Sequence, residues 1–227
     1  MWFYISIFLV IVILLFLYIL RIYKDKKLLK TVTKVYRGTR SERNVVLKLL
    51  KKGILAKNIF HDLYIENNGQ YSQIDLVVTT NKGILIFEIK DYSGWLFGKG
   101  NQKQWTQVLA YGREKFRFYN PVMQNNGHIR ALQKKLRQID DLPFYSIIVF
   151  YGNCELKDVS LIPKGTFITY SNGFLDIVNK IMNNNLQEEF EDKWGVLNVL
   201  TEAVHNGNNI EIIKKHIENV KNIKDNI

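Results

Sequence analysis

Residues 2–20 form an unbroken apolar run with no charge, and Ser6 is its one clearly polar side chain. A helix of that length rises roughly 28 Å, close to the hydrocarbon thickness of a bilayer. In lipid a helix satisfies its own backbone, so the run predicts a single N-terminal transmembrane helix. A cleaved signal peptide is the competing reading. Against it, no basic stretch precedes the run, the run is too long, and the first alanine is Ala56, so no Ala-x-Ala cleavage site exists. A buried core helix would rarely be apolar all round.

Beyond position 20 the pattern changes to short amphipathic pieces. Residues 21–35 predict a basic juxtamembrane segment, a short helix or linker. Thr39 to Glu42 has the spacing of a helix start, and Gly53 that of its stop. Residues 54–66 predict a short strand region. Residues 71–80 and 84–90 predict two strands joined around Asn81-Lys82-Gly83 as a hairpin. Residues 93–101 read as a glycine-punctuated loop, and 105–119 as mixed and aromatic. Asn120-Pro121 predicts a helix to about Gln138, with asparagine as cap and proline in the first turn. Residues 145–151 predict a central apolar strand and 166–170 another. Three helices are expected near 173–183, 187–205 and 209–223. Helices interleaved with strands in one compact unit imply an α/β fold.

Charge adds direction. The chain has 227 residues and a formal net charge of +11, a surface that attracts polyanions. No basic residue precedes the apolar run, whereas Arg21, Lys24, Lys26, Lys27 and Lys30 follow it. The positive-inside rule then places the N-terminus outside and the rest in the cytoplasm. Trp2, Tyr4, Tyr18 and Tyr23 flank the run as interfacial anchors would. The basic cluster could also hold anionic head groups, but a plain stop-transfer signal explains it as well. A lone cysteine, Cys154, excludes an internal disulfide and argues against a structural zinc site.

The chemistry concentrates on the hairpin. Residues 84–90 are apolar until Glu88 and Lys90, which alternation places on one face of the strand. Placing a carboxylate and an ammonium in a buried strand is costly unless they pair or bind a metal. A two-residue turn puts Asp75 directly opposite Glu88. A three-residue turn puts it opposite Ile89. Either way two carboxylates and a lysine converge. Asp75 and Glu88 could hold Mg²⁺ (or Mn²⁺), which prefers oxygen ligands and keeps several waters. Lys90 could orient a water or meet charge developing on a phosphate. Glu-x-Lys by itself is weak and recurs at Glu155 and Glu191, but only Glu88 ends an apolar strand facing an aspartate. The bland alternative, a Lys90 ion pair, leaves the second carboxylate unexplained.

Gly38-x-x-x-Glu42, Gln73-Ile-Asp75, Gly83 through Gly94, Trp105 and Asn120-Pro-x-x-Gln124-Asn occur in this order. Together they resemble the nuclease-related domain family, NERD, grouped with the PD-(D/E)xK restriction-endonuclease-like nucleases. The resemblance implies a mixed sheet flanked by helices, with Asp75 and Glu88 as metal ligands and Lys90 as catalytic lysine. It further implies Glu42 as an auxiliary carboxylate and Gln124 as a helical residue approaching the site. Where the family often has Gly-Glu, this chain has Ser41-Glu42.

The expected organisation is a transmembrane helix at 2–20, a linker at 21–35, a nuclease-like core at 36–138, the remainder of that domain at 139–185 and a helical cap at 186–227. The function expected is a membrane-anchored, cytoplasm-facing nuclease, with DNA favoured by analogy with the wider superfamily. An inactive nucleic-acid-binding or partner-binding tether is the alternative. Glu42 also fits a plain helix-capping role. Gln73 could contact substrate, and Arg113, Lys115 and Arg117 could track a phosphate backbone or form a solvated face. His128 reads as an ordinary partly buried histidine. Ser41, Ser72 and Ser93 stand in no recognisable Ser/His/Asp arrangement in the sequence.

Overall fold

The computed structural model describes residues 2–67, 69–139, 142–184 and 194–225. Helix α1 (Trp2–Leu29) passes through the apolar run and continues beyond it. None of its side chains is buried, and by length and composition it could cross a bilayer. Its far end is docked: Leu28 and Leu29, with Val32, pack against the core, and Asp25 pairs with Lys51 at 2.6 Å. Residues 21–35 are therefore no free linker. They are helical to Leu29, then turn, with Thr33 buried. Helix α2 (Arg40–Lys51) follows, and the Thr39 side chain accepts from the Glu42 amide as its cap.

Five strands make the main sheet: β1 (Ile59–Asn67), β2 (Gln70–Thr80), β3 (Gly83–Asp91), β7 (Phe144–Tyr151) and β9 (Thr166–Tyr170), in the order β1-β2-β3-β7-β9. β1, β2 and β3 are antiparallel, while β3, β7 and β9 run parallel. The strand expected to be central is β7, an interior strand between β3 and β9, while β3 holds the centre. Leu85, Phe87 and Ile89 of β3 face one layer, with Val45, Val46 and Leu49 of α2 and Val178 of α4 (Phe174–Met182). Ile84 and Ile86 face the other, with Ala131 and Leu132 of α3 (Pro121–Lys135) and Leu200 of α5 (Trp194–Asn206). Burial on both faces is why β3 reads as a continuous apolar run. Each such side chain, once enclosed, contributes about 1.5–3 kcal/mol. This is the mixed α/β architecture expected, consistent with a restriction-endonuclease-like fold. A last helix, α6 (Ile210–Asp225), lies against β2, with His216 Nδ1 at 2.8 Å from the Tyr71 carbonyl.

A second sheet was not anticipated. β4 (Gly94–Lys99), β5 (Gln104–Leu109), β6 (Glu114–Tyr119) and β8 (Cys154–Ser160) form it in the order β6-β5-β4-β8. The glycine-punctuated stretch expected as loop is thus β4. It becomes a strand because β3 and β7 both run on past the main sheet, and their continuations β4 and β8 stay paired in parallel. Pairing between segments some sixty positions apart leaves no local period. Helix α3 ends at Lys135, short of Gln138. The helix expected over 187–205 is seen from Trp194, and the part before it lies outside the described residues.

Candidate active site

The hairpin register decides what meets what. Thr80 pairs with Gly83, so Asn81-Lys82 is the two-residue turn, and pairing continues to Leu76↔Phe87. One further step sets Asp75 across from Glu88. There the main-chain ladder stops, and the Asp75 carboxylate takes over by accepting from the Ile89 amide at 2.8 Å.

β1 changes hand at the same level. Its register passes from His61↔Leu76 to Leu63↔Ile74, and between them Asp62 adopts φ +57°, a backbone region that non-glycine residues seldom occupy. Phe60 and Leu63 consequently face the same layer although three apart, as do Val77 and Ile74 on β2. Arg37 holds this turnover in place. Its Nε donates to Asp62 Oδ2 at 2.9 Å, and its Nη2 to the Asp62 carbonyl at 2.5 Å. Gln73 donates to Asp62 Oδ1 at 2.8 Å. Its amide is thus committed to Asp62, and the structure shows it bonding to neither Asp75 nor Glu88.

On the α3 side, Glu88 is enclosed. Lys90 Nζ lies 2.6 Å from Glu88 Oε1 and donates to Gln124 Oε1 at 3.0 Å. His128, one helical turn after Gln124, sets Nε2 at 3.3 Å from Glu88 Oε2, while its Nδ1 lies 3.1 Å from Ser72 Oγ. Helix α3 is locked in this register by two buried asparagines. Asn120 donates to the carbonyls of Lys99, Gly100 and Gln102 and accepts from the Val122 amide. Asn125 donates to the Ile86 carbonyl at 2.9 Å and to Ser146 Oγ at 2.8 Å.

On the α2 side, Glu42 accepts the Thr39 hydroxyl on Oε1 at 2.8 Å and turns Oε2 to His61 Nε2 at 3.2 Å. The helix cap and the inward carboxylate are therefore one arrangement, and the two readings of Glu42 do not compete. Ser41 donates to Asp91 at 2.6 Å. Arg113, Lys115 and Arg117 are not brought to this cluster. Lys115 and Arg117 lie exposed on β6, at the outer edge of the second sheet, and Arg113 lies exposed in the turn just before it.

The charges are unequal in kind. Burial, then the charges of Glu88 and Glu42, push the Asp75 carboxyl well above the ordinary aspartate range. Burial also opposes charge on Glu88, but Lys90 and His128 outweigh it and hold its pKa below the usual value. Glu42 is likewise held low: burial works against it, and His61 and Thr39 prevail. Lys90 is desolvated as well, yet Glu88 and Asp75 raise its pKa, so it remains a cation. Three acidic groups against one ammonium leave Asp75 in an excess of negative potential, which favours its neutral form.

That excess suits a hard cation. Glu88 Oε2 is fully enclosed, with His128 Nε2 facing it at 3.3 Å. The Asp75 charge is destabilised unless a positive neighbour is supplied. Among the described residues no three His, Cys, Asp or Glu side chains close into a metal-binding group, so a complete protein cage is absent. A pair of carboxylate oxygens fits magnesium or manganese, which prefer oxygen ligands, better than a tetrahedral zinc site, which favours nitrogen and sulfur.

Sequence reasoning missed four contributors: His61, Thr33, Asp62 and Arg37. Nothing in their local spacing marks them. His128 reads in the sequence as a partly buried histidine and Ser72 as a serine in no Ser/His/Asp arrangement, yet the fold aligns Ser72, His128 and Glu88.

A family profile described as nuclease-related domain matches residues 37–151. A protein of Bacillus anthracis described as uncharacterized is 31% identical over 138 residues, which span 60% of this chain and 63% of that relative. The chain thus spans less than two thirds of the relative's length. No solved structure matches.

Proposed function

Because the chain belongs to the nuclease-related domain family, we propose that it hydrolyses phosphodiester bonds in nucleic acid with a divalent metal, and does so on the cytoplasmic side of a membrane that α1 spans. The observation that carries this reading is the convergence of Asp75, Glu88 and Lys90 at the end of β2 and β3, with Asp75 left in surplus negative potential.

Asp75 and Glu88 would hold the metal. When bound, such an ion polarises a phosphate oxygen and acidifies a coordinated water. Lys90 has a different task. Its raised pKa rules it out as a general base at neutral pH, and Glu88 and Gln124 occupy two of its three donor directions. The third can reach a phosphate oxygen or hold a water, so Lys90 stabilises developing negative charge. Gln124 fixes the ammonium from helix α3. Glu42, kept ionised by His61 and Thr39, can accept a proton or orient a water. Outside the cluster, the +11 net charge gathers a polyanion. The exposed Arg113, Lys115 and Arg117, with half-exposed Phe116 between them, offer a track for its backbone. DNA is the proposed substrate on superfamily analogy.

The test is hydrolysis by the purified full chain in detergent, with plasmid, linear duplex, single-stranded DNA and RNA as substrates. Cleavage is expected with Mg²⁺ or Mn²⁺ and should disappear in EDTA. Lys90→Ala should lower kcat by about 10²–10³-fold, the range seen when one preorganised charge-stabilising donor is removed. Equal cleavage by Lys90→Ala would refute the assignment. Tight binding of nucleic acid without cleavage in either metal would replace it with a tether.

A further inference from the structure

Each of the two well-ionised carboxylates is backed by a buried histidine, and each histidine is backed by a hydroxyl. On the α3 side the chain of contacts is Ser72, His128, Glu88. On the α2 side it is Thr33, His61, Glu42, with Thr33 Oγ1 at 2.8 Å from His61 Nδ1 and His61 Nε2 at 3.2 Å from Glu42 Oε2. The His61 side chain is 0% exposed. Neither Glu42 Oε2 nor His61 Nε2 has another hydrogen-bond partner among the described residues. A carboxylate can only accept, so the facing Nε2 carries the proton. In the neutral ring Nδ1 is then bare and can accept the Thr33 hydroxyl proton, for which the Lys34 carbonyl at 3.4 Å is the more distant competitor.

Thr33 is no ordinary neighbour. It sits in the turn by which the chain leaves α1. The rest of that turn is clamped to the same place. Arg43 Nη1 donates to the carbonyls of Arg37 and Gly38 at 2.9 and 2.6 Å, and Arg37 grips Asp62, next to His61. Gly38 has φ +61°, and a Cβ there would strike both the Glu42 carboxylate and the His61 ring. A plain structural histidine would not require the entering chain to be shaped around its contact with a carboxylate.

We propose that His61 is a positioning residue which, held by Thr33, fixes the Glu42 carboxylate on the α2 side of the site, so that the segment leaving α1 is part of the catalytic unit. Anchor and active site are thereby joined through one hydrogen-bonded chain, Thr33–His61–Glu42, and not through a passive tether.

The kinetic half of the test rests on the hydrolytic reading above; the spectroscopic half does not. With ¹⁵N-labelled histidine in the detergent-solubilised full chain, His61→Gln assigns the resonances. Wild-type His61 should show a protonated Nε2 and a bare Nδ1. Thr33→Val should average the two nitrogens, and Thr33→Ser, which keeps the hydroxyl, should restore the wild-type pattern. In hydrolysis, Thr33→Val should lower kcat about tenfold with KM unchanged, and Thr33→Ser should recover it. A protonated Nδ1 in wild type, an unchanged pattern in Thr33→Val, or wild-type kcat in Thr33→Val would each overturn the proposal. If the ring behaves as expected and wild type cleaves nothing, the hydrolytic reading fails while the fixing of Glu42 by His61 stands.

Discussion

Asp75 is the residue at which stability and function pull apart. Its folded-state pKa is raised by burial and by Glu88 and Glu42, so its ionised form destabilises the fold. Below about pH 3.9, the unfolded value, the group is protonated in both states and has no effect. As pH climbs from there through the folded pKa, the native state loses stability, and the loss is complete above it. Asp75→Asn removes the charge and still offers an oxygen to the Ile89 amide. We expect it to be inactive and yet more stable at neutral pH by about 1 kcal/mol, a midpoint gain of roughly 2–4 °C for a chain of this size. The gain should vanish in acid. Mg²⁺ should narrow the difference by stabilising only the wild type. Thermal unfolding at several pH values, with and without metal, checks this. A less stable Asp75→Asn at pH 7 would show that the site needs no cation. Glu88 and Glu42 have the opposite sign. Their depressed pKa values contribute stability above the unfolded glutamate value, and that contribution is lost as pH falls through the folded one.

Among the elements, helix α3 sets the precision of the site. Gln124 and His128 lie one turn apart, so a single helix face delivers one group to Lys90 and the other to Glu88. What fixes that face is Asn125, which bridges α3 to the carbonyl of Ile86 on β3 and to Ser146 on β7. Asn125→Ala would leave two buried groups unsatisfied, a cost of about 2–6 kcal/mol at roughly 1–3 per group. Denaturant unfolding should show that loss. Hydrolysis should fall as well, through kcat, because Gln124 and His128 lose their register. A variant with normal stability and normal kcat would mean that packing of Ala131 and Leu132 alone orients the helix. The second sheet belongs to the same scale. Asn120 ties the β4–β5 connection to the start of α3, and Trp105 stacks 6.2 Å from Phe150 beneath it. That sheet acts on the site indirectly, through the helix it seats.

At the scale of the whole molecule, α1 is long and apolar enough to cross a bilayer. α1 is exposed along its length and docked only at its end, where Leu28 and Leu29 join the core. The exposed Asp25–Lys51 pair adds little, so apolar packing carries the docking. With α1 in a membrane, the chain should resist alkaline carbonate extraction. Ile11→Arg combined with Leu14→Arg should release it, since each arginine near the bilayer centre costs about 2.5–3.5 kcal/mol. Release of the unsubstituted chain by carbonate would remove the anchor from the account. The candidate site would be untouched by that outcome, because none of the contacts described for it involves a residue before Thr33.

The sequence by itself determined the apolar helix, the α2 and α3 starts, the hairpin, and the convergence of Asp75, Glu88 and Lys90. Each of these is written in spacing: a run length, a cap, a period of two, a turn of two residues. Glu42 and Gln124 were legible only through a family resemblance, since helix faces alone did not say which strand they would meet. His61, Thr33, Arg37 and Asp62 were decided by tertiary structure. Their partners are far apart in the chain, as Thr33 is from His61 and Ser72 from His128, and a hydrogen bond between distant segments leaves no periodic trace. The strands β4 and β8 share that reason. Local pattern reports how a segment can bury its own apolar face, whereas the placing of a polar partner depends on where the fold brings the rest of the chain.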